Sequence, residues 1–193
     1  LSADDVDNNS YDNCGIVESS INKTFFTCED VGQQVVTLTV TDATGNSDTA
    51  NFMVTVIDDA SPVIEISEAT LYFDENGWAQ LDIEDVYLGA TDHCGIADSG
   101  ISQWLFSCED GGTNEVIVNV SDVHGNVTSV ATQVTVLDTI APALDVNSFN
   151  LSIDSEGVAE LTQAMVIENC SDNCSIEQVV IDNPVFDCSD SGS

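Results

Sequence analysis

The sequence predicts an all-β chain of tandem immunoglobulin-like β-sandwich repeats of about 80 residues, laid end to end in an extended array. Three observations carry that expectation. The sequence matches itself at one fixed offset without gaps, short runs alternate apolar and polar residues between glycine-containing turns, and cysteines recur in register.

The offset is 80 residues. It aligns Cys14, Cys94 and Cys174, then Cys28, Cys108 and Cys188, with the first of each set inside Asp12-Asn-Cys-Gly-Ile, Asp92-His-Cys-Gly-Ile and Asp172-Asn-Cys-Ser-Ile. It also pairs Val36, Leu38, Val40 and Asp42 with Val116, Val118, Val120 and Asp122, and Gly45-Asn46 with Gly125-Asn126. Pro62 matches Pro142, and Gly77, Ala79 and Leu81 match Gly157, Ala159 and Leu161. Proline ends strand ladders, and short polar segments containing it mark joints. The expected segments are therefore a partial repeat over 1–59, a complete one over 60–139 and a partial one over 140–193.

Within the complete repeat, Val116-Ile-Val-Asn-Val120 and Gln133-Val-Thr-Val-Leu137 alternate with the period of a strand, and no stretch sustains a helical apolar period. Asp74-Glu-Asn-Gly77 is expected to join a strand near 70–74 to one near 78–84. Val123-His-Gly-Asn126 is expected to close a hairpin between strands near 115–121 and 127–137.

The 193 residues hold 35 acidic side chains against one basic side chain, Lys23, for a formal charge of −34. Such a field excludes nucleic-acid binding, which needs Lys or Arg to displace counterions, and calls for cations to offset it. Acidity of this degree often accompanies disorder, but 42% of the residues are apolar and fall in strand-like runs, so the chain folds. No run of 18 apolar residues and no leader pattern is present, so neither membrane insertion nor an export signal is expected, and the chain reads as an internal piece of a longer one.

Seven cysteines without any CxxC spacing point to an oxidising, extracellular compartment. Each sandwich is small, so a covalent staple has an evident role. Pairing Cys94 with Cys108 closes a loop of about 15 residues, worth about 3 kcal/mol by the chain-entropy argument. The register then extends the pairing to Cys14 with Cys28 and Cys174 with Cys188. Buried free thiols are the alternative. Cys170 has no counterpart, and three fates stay open for it: a partner beyond the chain, a free thiol, or competition with Cys174 for Cys188.

The acids that recur with the period separate structure from bulk charge. Asp12, Asp92 and Asp172 recur, as do Asp30, Asp110 and Asp190; Asp5 pairs with Asp85, Asp42 with Asp122, Asp58 with Asp138 and Asp74 with Asp154. In an immunoglobulin-like sandwich Asp85, Asp92, Asp122 and Asn126 would face the linker Asp58-Asp59 at the pole where the chain enters. Hard oxygens in that number suit Ca²⁺. The equivalent sets are Asp138 with Asp172 at the next joint, and Asp5, Asp12, Asp42 and Asn46 in the first repeat. Turn chemistry alone is the competing explanation, since Asp and Asn bond their own backbone in turns, and Asp30, Asp110 and Asp190 are read that way.

No catalytic constellation is present. His93 and His124 align with Asn13 and Thr44, and paired carboxylates carry no information in so acidic a chain. Trp78 and Trp104 do not recur, so they are expected to be core or single surface residues rather than a sugar platform.

The combination of Asp-Asn-Cys-Gly-Ile, Phe26-Thr-Cys-Glu-Asp-Val-Gly32, Val36 to Asn46, Val56-Ile-Asp-Asp-Ala-Ser-Pro62 and Leu71-Tyr-Phe-Asp-Glu-Asn-Gly77 resembles the Ig-like, HYR-like tandem repeats of giant surface adhesins of Bacteroidota. These are the SprB type of gliding Flavobacteria and related cargo of the type IX secretion system. The resemblance implies a secreted filament at the cell surface, attached to the outer membrane and moved by the gliding machinery. Its implied partners are neighbouring repeats of the same chain, that gliding and secretion machinery, and a substratum or surface polysaccharide. Thr49 in Asp48-Thr-Ala50 and Thr139 in Asp138-Thr-Ile140 match a tripeptide resembling the O-glycosylation motif of Bacteroidota, which a chain rich in Asp and Thr also produces by chance. Met165 departs from the pattern at the position of Asp5 and Asp85. The alternative function is a non-catalytic spacer or polysaccharide-binding array of a secreted enzyme.

Overall fold

Alternation of β-branched residues with polar ones gives strands, and the computed structural model is all-β with only short helices over residues 1–148 and 150–190, which it describes. In chain order the strands are β1 (Ile16–Ile21), β2 (Gly32–Asp42), β3 (Ser47–Val56), β4 (Val63–Ile66), β5 (Ala69–Tyr72), β6 (Trp78–Gln80), β7 (Tyr87–Thr91), β8 (Ile96–Ile101), β9 (Leu105–Ser107), β10 (Gly112–Asp122), β11 (Val127–Leu137), β12 (Ala143–Val146), β13 (Val158–Glu160), β14 (Ile167–Ser171) and β15 (Val185–Asp187). The period is visible in the sheets. The order β1-β2-β3 returns 80 residues later as β8-β10-β11, extended by β5; the pair β4-β7 returns as β12-β14, and β6-β9 returns as β13-β15.

The chain groups into two compact units, Leu1–Ile64 with Ala90–Ser99 and Val120–Thr128, and Glu65–Gly89 with Gly100–Asn119 and Ser129–Ser193. These units cut across the segments 1–59, 60–139 and 140–193, because the loops 90–99 and 120–128 group with the first segment and its linker. In the second unit Val116, Val118, Val134 and Val136 are buried on alternate positions of β10 and β11, together with Phe73, Leu81, Val86 and Phe106. The buried hydroxyl of Thr132 donates to Ser67 O at 2.7 Å, which removes the cost of its burial. The first unit buries Val36, Leu38 and Val120.

Asp74 to Gly77 does form a turn, with Gly77 N–H donating to Asp74 O at 3.0 Å and Asp74 N–H to Trp78 O at 2.8 Å. The strands on either side part company: β5 runs parallel to β11, while β6 pairs antiparallel with β9. The second of them stops at Gln80 rather than near 84, because Asp82 caps a one-turn 3₁₀ helix, Ile83–Asp85. One-turn helices occupy the same register position at Ala3–Val6 and Gln163–Val166.

The disulfides correct the expected pairing. The bonds are Cys28–Cys94 and Cys108–Cys174, each spanning 66 residues, and not Cys14–Cys28, Cys94–Cys108 or Cys174–Cys188. Strand length is the reason. Cys14 precedes β1, whose Ile16 lies opposite Asp42 at the far end of β2, whereas Cys28 precedes Gly32 at its start. An 11-residue strand extends about 35 Å, and a disulfide tolerates at most about 7 Å between Cα atoms. The observed pairs stand 5.3 Å apart. Loop closure over 66 residues is worth about 4 kcal/mol by the chain-entropy argument, more than the short loop expected. Cys14 is an exposed free thiol, and Cys170 is a free, half-buried thiol on β14 opposite Leu144.

Gly77 is required at the second disulfide. Its φ is +77°, and an added Cβ would stand 2.6 Å from Cys108 Sγ and 2.7 Å from Asn173 O. Asn173 Nδ2 in turn donates to Asp74 O at 3.1 Å.

The burial pattern predicts a sharp contrast between two aromatic sites. Phe106→Ala, at a position with no exposed surface, will lower the unfolding free energy by about 3–5 kcal/mol, read as a lower urea midpoint at unchanged slope. Trp78→Ala, at a residue 47% exposed, will stay within about 0.5 kcal/mol.

Candidate metal centre

The site lies within the first unit and is assembled from three separate stretches of chain. Asp122 ends β10 and starts the hairpin turn to β11. Burial pushes its carboxyl up, but the side chain of Asn126 and the N–H groups of Asn126, His124 and Gly125 outweigh that and hold it below the ordinary carboxylate range. Its Oδ1 accepts from His124 N at 2.8 Å and Asn126 N at 2.9 Å, and its Oδ2 from Asn126 Nδ2 at 2.6 Å. The residue is 2% exposed, so an ionised group is held in the interior by dedicated donors.

Asp92 sits in the turn before the first cysteine, where its Oδ1 accepts from Cys94 N at 2.7 Å and Gly95 N at 3.2 Å. That turn is pinned by the cystine, for Cys28 Sγ lies 3.6 Å from His93 O. Asp58 comes from the linker after β3. Its Oδ1 accepts from Ala60 N at 3.2 Å, its carbonyl from Asn126 Nδ2 at 3.2 Å, and its Oδ2 lies 2.9 Å from His124 Nδ1.

One carboxylate oxygen from each of Asp58, Asp92 and Asp122 lies within 4.8 Å of the others. Three carboxylates this close repel strongly unless a cation stands among them. Their donor set is hard oxygen, which fits Ca²⁺. The sulfur of Cys94 shares the neighbourhood of Asp58 and His124, but as half of a cystine it offers no thiolate to a soft metal.

The expected ligand sets separate on inspection. Asp58, Asp92 and Asp122 come together, with Asn126 bridging Asp122 to the linker carbonyl. Asp59 is exposed. Asp85 closes the capping box of its short helix by accepting from Asp82 N at 3.1 Å, and Asp5 does the same for Ser2 at 2.8 Å, so their recurrence follows from helix capping. Asp30 and Asp110 close the capping boxes of the one-turn helices Cys28–Asp30 and Cys108–Asp110 in the same manner, and Asp190 accepts from Asp187 N at 3.0 Å. Lys23 forms an ion pair with Asp30 and stands 5.3 Å from the Phe26 ring.

At the pole of the first repeat, Asp12 and Asp42 border one surface depression together with Asn46 and Asp48. Asp12 accepts from Cys14 N at 2.7 Å, and Asp42 accepts from Thr44 N and Asn46 N, both at 2.8 Å. Asp138 accepts from Ile140 N at 3.0 Å and Asp172 from Cys174 N at 3.0 Å. The register position of Asp122 in the next period falls at 202, outside these 193 residues, so only the middle pole has all three registered carboxylates in this sequence. Trp104, 58% exposed, and Trp78 both lie on the surface rather than in the core. Thr49 on β3 and Thr139 in the second linker are exposed.

Sequence reasoning missed the contact between His124 and Asp58, since the histidine does not recur and Thr44 stands at its register position. It also missed the cystine that fixes the Asp92 turn. The period contained that second signal, because a separation of 66 residues repeats as faithfully as one of 14.

No family model and no curated protein matches the chain. Among solved structures it is similar to the protocadherin GammaB4 extracellular domain, at 16% identity over 72% of this chain and 29% of that one, with a TM-score of 0.35. It is also similar to protocadherin Gamma B7 extracellular cadherin domains 1–4, at 12% identity over 83% and 51% with a TM-score of 0.30. For PcdhgB3 EC1–4 the identity is 16% over 86% and 49%, with a TM-score of 0.28. The chain spans between about a third and a half of the length of these structures.

The donors around Asp42 set a testable titration. The Asn46 side chain, then the Asn46 N–H and Thr44, lower its pKa to about 2. A pKa depressed below the unfolded value means that this turn is stabilised above about pH 4 and loses that support as pH falls towards 2. The ¹³C shift of the Asp42 carboxyl will titrate with a midpoint near 2, and Asn46→Ala will move that midpoint up towards 3.8.

Proposed function

We propose that the chain is a segment of a secreted, cell-surface filament, a non-catalytic adhesive stalk whose joints are stiffened by calcium. The convergence of Asp58, Asp92 and Asp122 carries this reading, because it joins a linker acid, a first-cysteine acid and a hairpin acid, all three of which recur with the period. A cation bound there would tie the linker to the loops on either side and remove the repulsion that otherwise opens the joint. Asn126 would hold the linker carbonyl in place, and His124 would give up its contact with Asp58 or orient the second carboxylate oxygen. When bound, Ca²⁺ supplies charge neutralisation and cross-linking, not chemistry.

The two cystines support an oxidising, extracellular setting, and the preponderance of acid supports a surface that repels nucleic acid and anionic lipid. The motif resemblance extends the proposal to a gliding-motility adhesin of Bacteroidota, exported by the type IX system and attached to the outer membrane. Its partners are then neighbouring repeats of its own chain, the gliding machinery and a polysaccharide or other substratum.

Calcium and chelator give opposite expectations. At a hundredfold excess over its Kd, calcium will stabilise the fold by about 2.7 kcal/mol, raise Tm and suppress proteolysis at residues 57–62, while the joint at 137–142, which lacks the third registered carboxylate in this sequence, keeps its susceptibility. Asp122→Asn will abolish the calcium-dependent part of the shift. Identical melting curves and digests with and without chelator would remove calcium from the account and leave the fold intact.

A further inference from the structure

We infer that the chain is a tension-bearing strap in which pull travels through the two cystines, bypassing the linkers, most of the sandwich core and the candidate metal ligands. Covalent topology alone sets this path, independently of the stalk reading. A force applied at the two ends follows the shortest bonded route. That route runs from residue 1 to Cys28, crosses the disulfide to Cys94, continues to Cys108, and crosses the second disulfide to Cys174.

Each bridge removes 65 residues from the route, one fewer than its sequence separation of 66, so 63 of the 193 residues remain on it. The removed stretches contain β2 to β7 and β10 to β14. Asp58 and Asp92 lie in the first and Asp122 in the second, so the backbone bearing the carboxylate trio is never stretched. Of the strands among the described residues, only β1, β8, β9 and β15 stay on the route.

The pairing expected from sequence would have done the reverse. Bridges between cysteines 14 residues apart would shield only β1, β8, β9 and β15 and leave the other strands and both linkers exposed to tension. With the observed pairing, a further period in register adds only the stretch equivalent to 94–108. The strap therefore has almost no hidden length to release while its cystines are intact, and becomes extensible when they are reduced. Reach is set by redox state and strength by the S–S bonds, whether or not the sandwiches stay folded.

Single-molecule extension between handles at the two ends tests this directly. At about 3.4 Å per residue, the oxidised chain will stop at a contour length of about 220 Å, and a thiol reductant will release two steps of about 220 Å each, to about 660 Å. The Cys28→Ser, Cys94→Ser double variant will lose one step and begin at about 440 Å. This readout does not require the variant to fold, and chelator will leave all lengths unchanged, so failure of the calcium reading is distinguishable from failure of the strap. Full extension without reductant would overturn the inference, as would reductive steps of about 45 Å, the release expected from cysteines 14 residues apart.

Discussion

The cystine that reaches from the second cysteine of one period to the first cysteine of the next is the constraint on which the remaining structure depends. A repeat of about 80 residues buries only a small core, so a covalent bridge adds support that packing alone does not supply. Cys28–Cys94 fastens the loop of Asp92 to the segment that precedes β2; the Asp58 linker contacts Asn126 and His124 of the hairpin turn, and Val123 N–H of that turn donates to Gly95 O in the Asp92 loop. Cys108–Cys174 repeats the fastening, with Gly77 flattened against Cys108 Sγ and Asn173 bonded to Asp74 O. The two bridges occur at the same register positions, so they belong to the period and not to an accident of one repeat.

With the loops fastened, the carboxylates sort by what their oxygens accept. Asp5, Asp30, Asp85 and Asp110 complete capping boxes at one-turn helices, where an N–H three residues back supplies the partner. Asp42, Asp74 and Asp122 gather N–H groups from the tight turns they open, which lowers the pKa of each and, for Asp122, outweighs burial. Among the described residues, Asp58, Asp92 and Asp122 are the carboxylates that converge, one oxygen of each within 4.8 Å of the others. A net charge of −34 makes this sorting consequential, since one basic residue in ion pair with Asp30 leaves the remainder to be balanced from solution.

Much of the fold was legible because burial and turns impose short-range rules. Alternation located β10 and β11, Gly77 and Gly125 located the turns, and the offset of 80 aligned strands that the sheets then reproduced. The disulfide pairing was not legible from loop length. Closure entropy rewards a short loop, yet it is blind to a strand that carries two cysteines to opposite ends of a sheet, as β1 does for Cys14 and Cys28. The candidate site was half legible: Asp58, Asp92, Asp122 and Asn126 followed from recurrence, whereas Asp5 and Asp85 recurred for capping, and His124 entered without recurring at all.

Disulfide mapping addresses the pairing itself. With free thiols alkylated first, digestion under non-reducing conditions by a protease specific for Asp and Glu separates every cysteine, because Glu18, Glu29, Asp98, Glu109, Asp172 and Glu177 fall between neighbours in the sequence. Mass spectrometry of the products will show a peptide containing Cys28 joined to one containing Cys94, and Cys108 joined to Cys174. Peptides joining Cys14 to Cys28 and Cys94 to Cys108 would contradict the account.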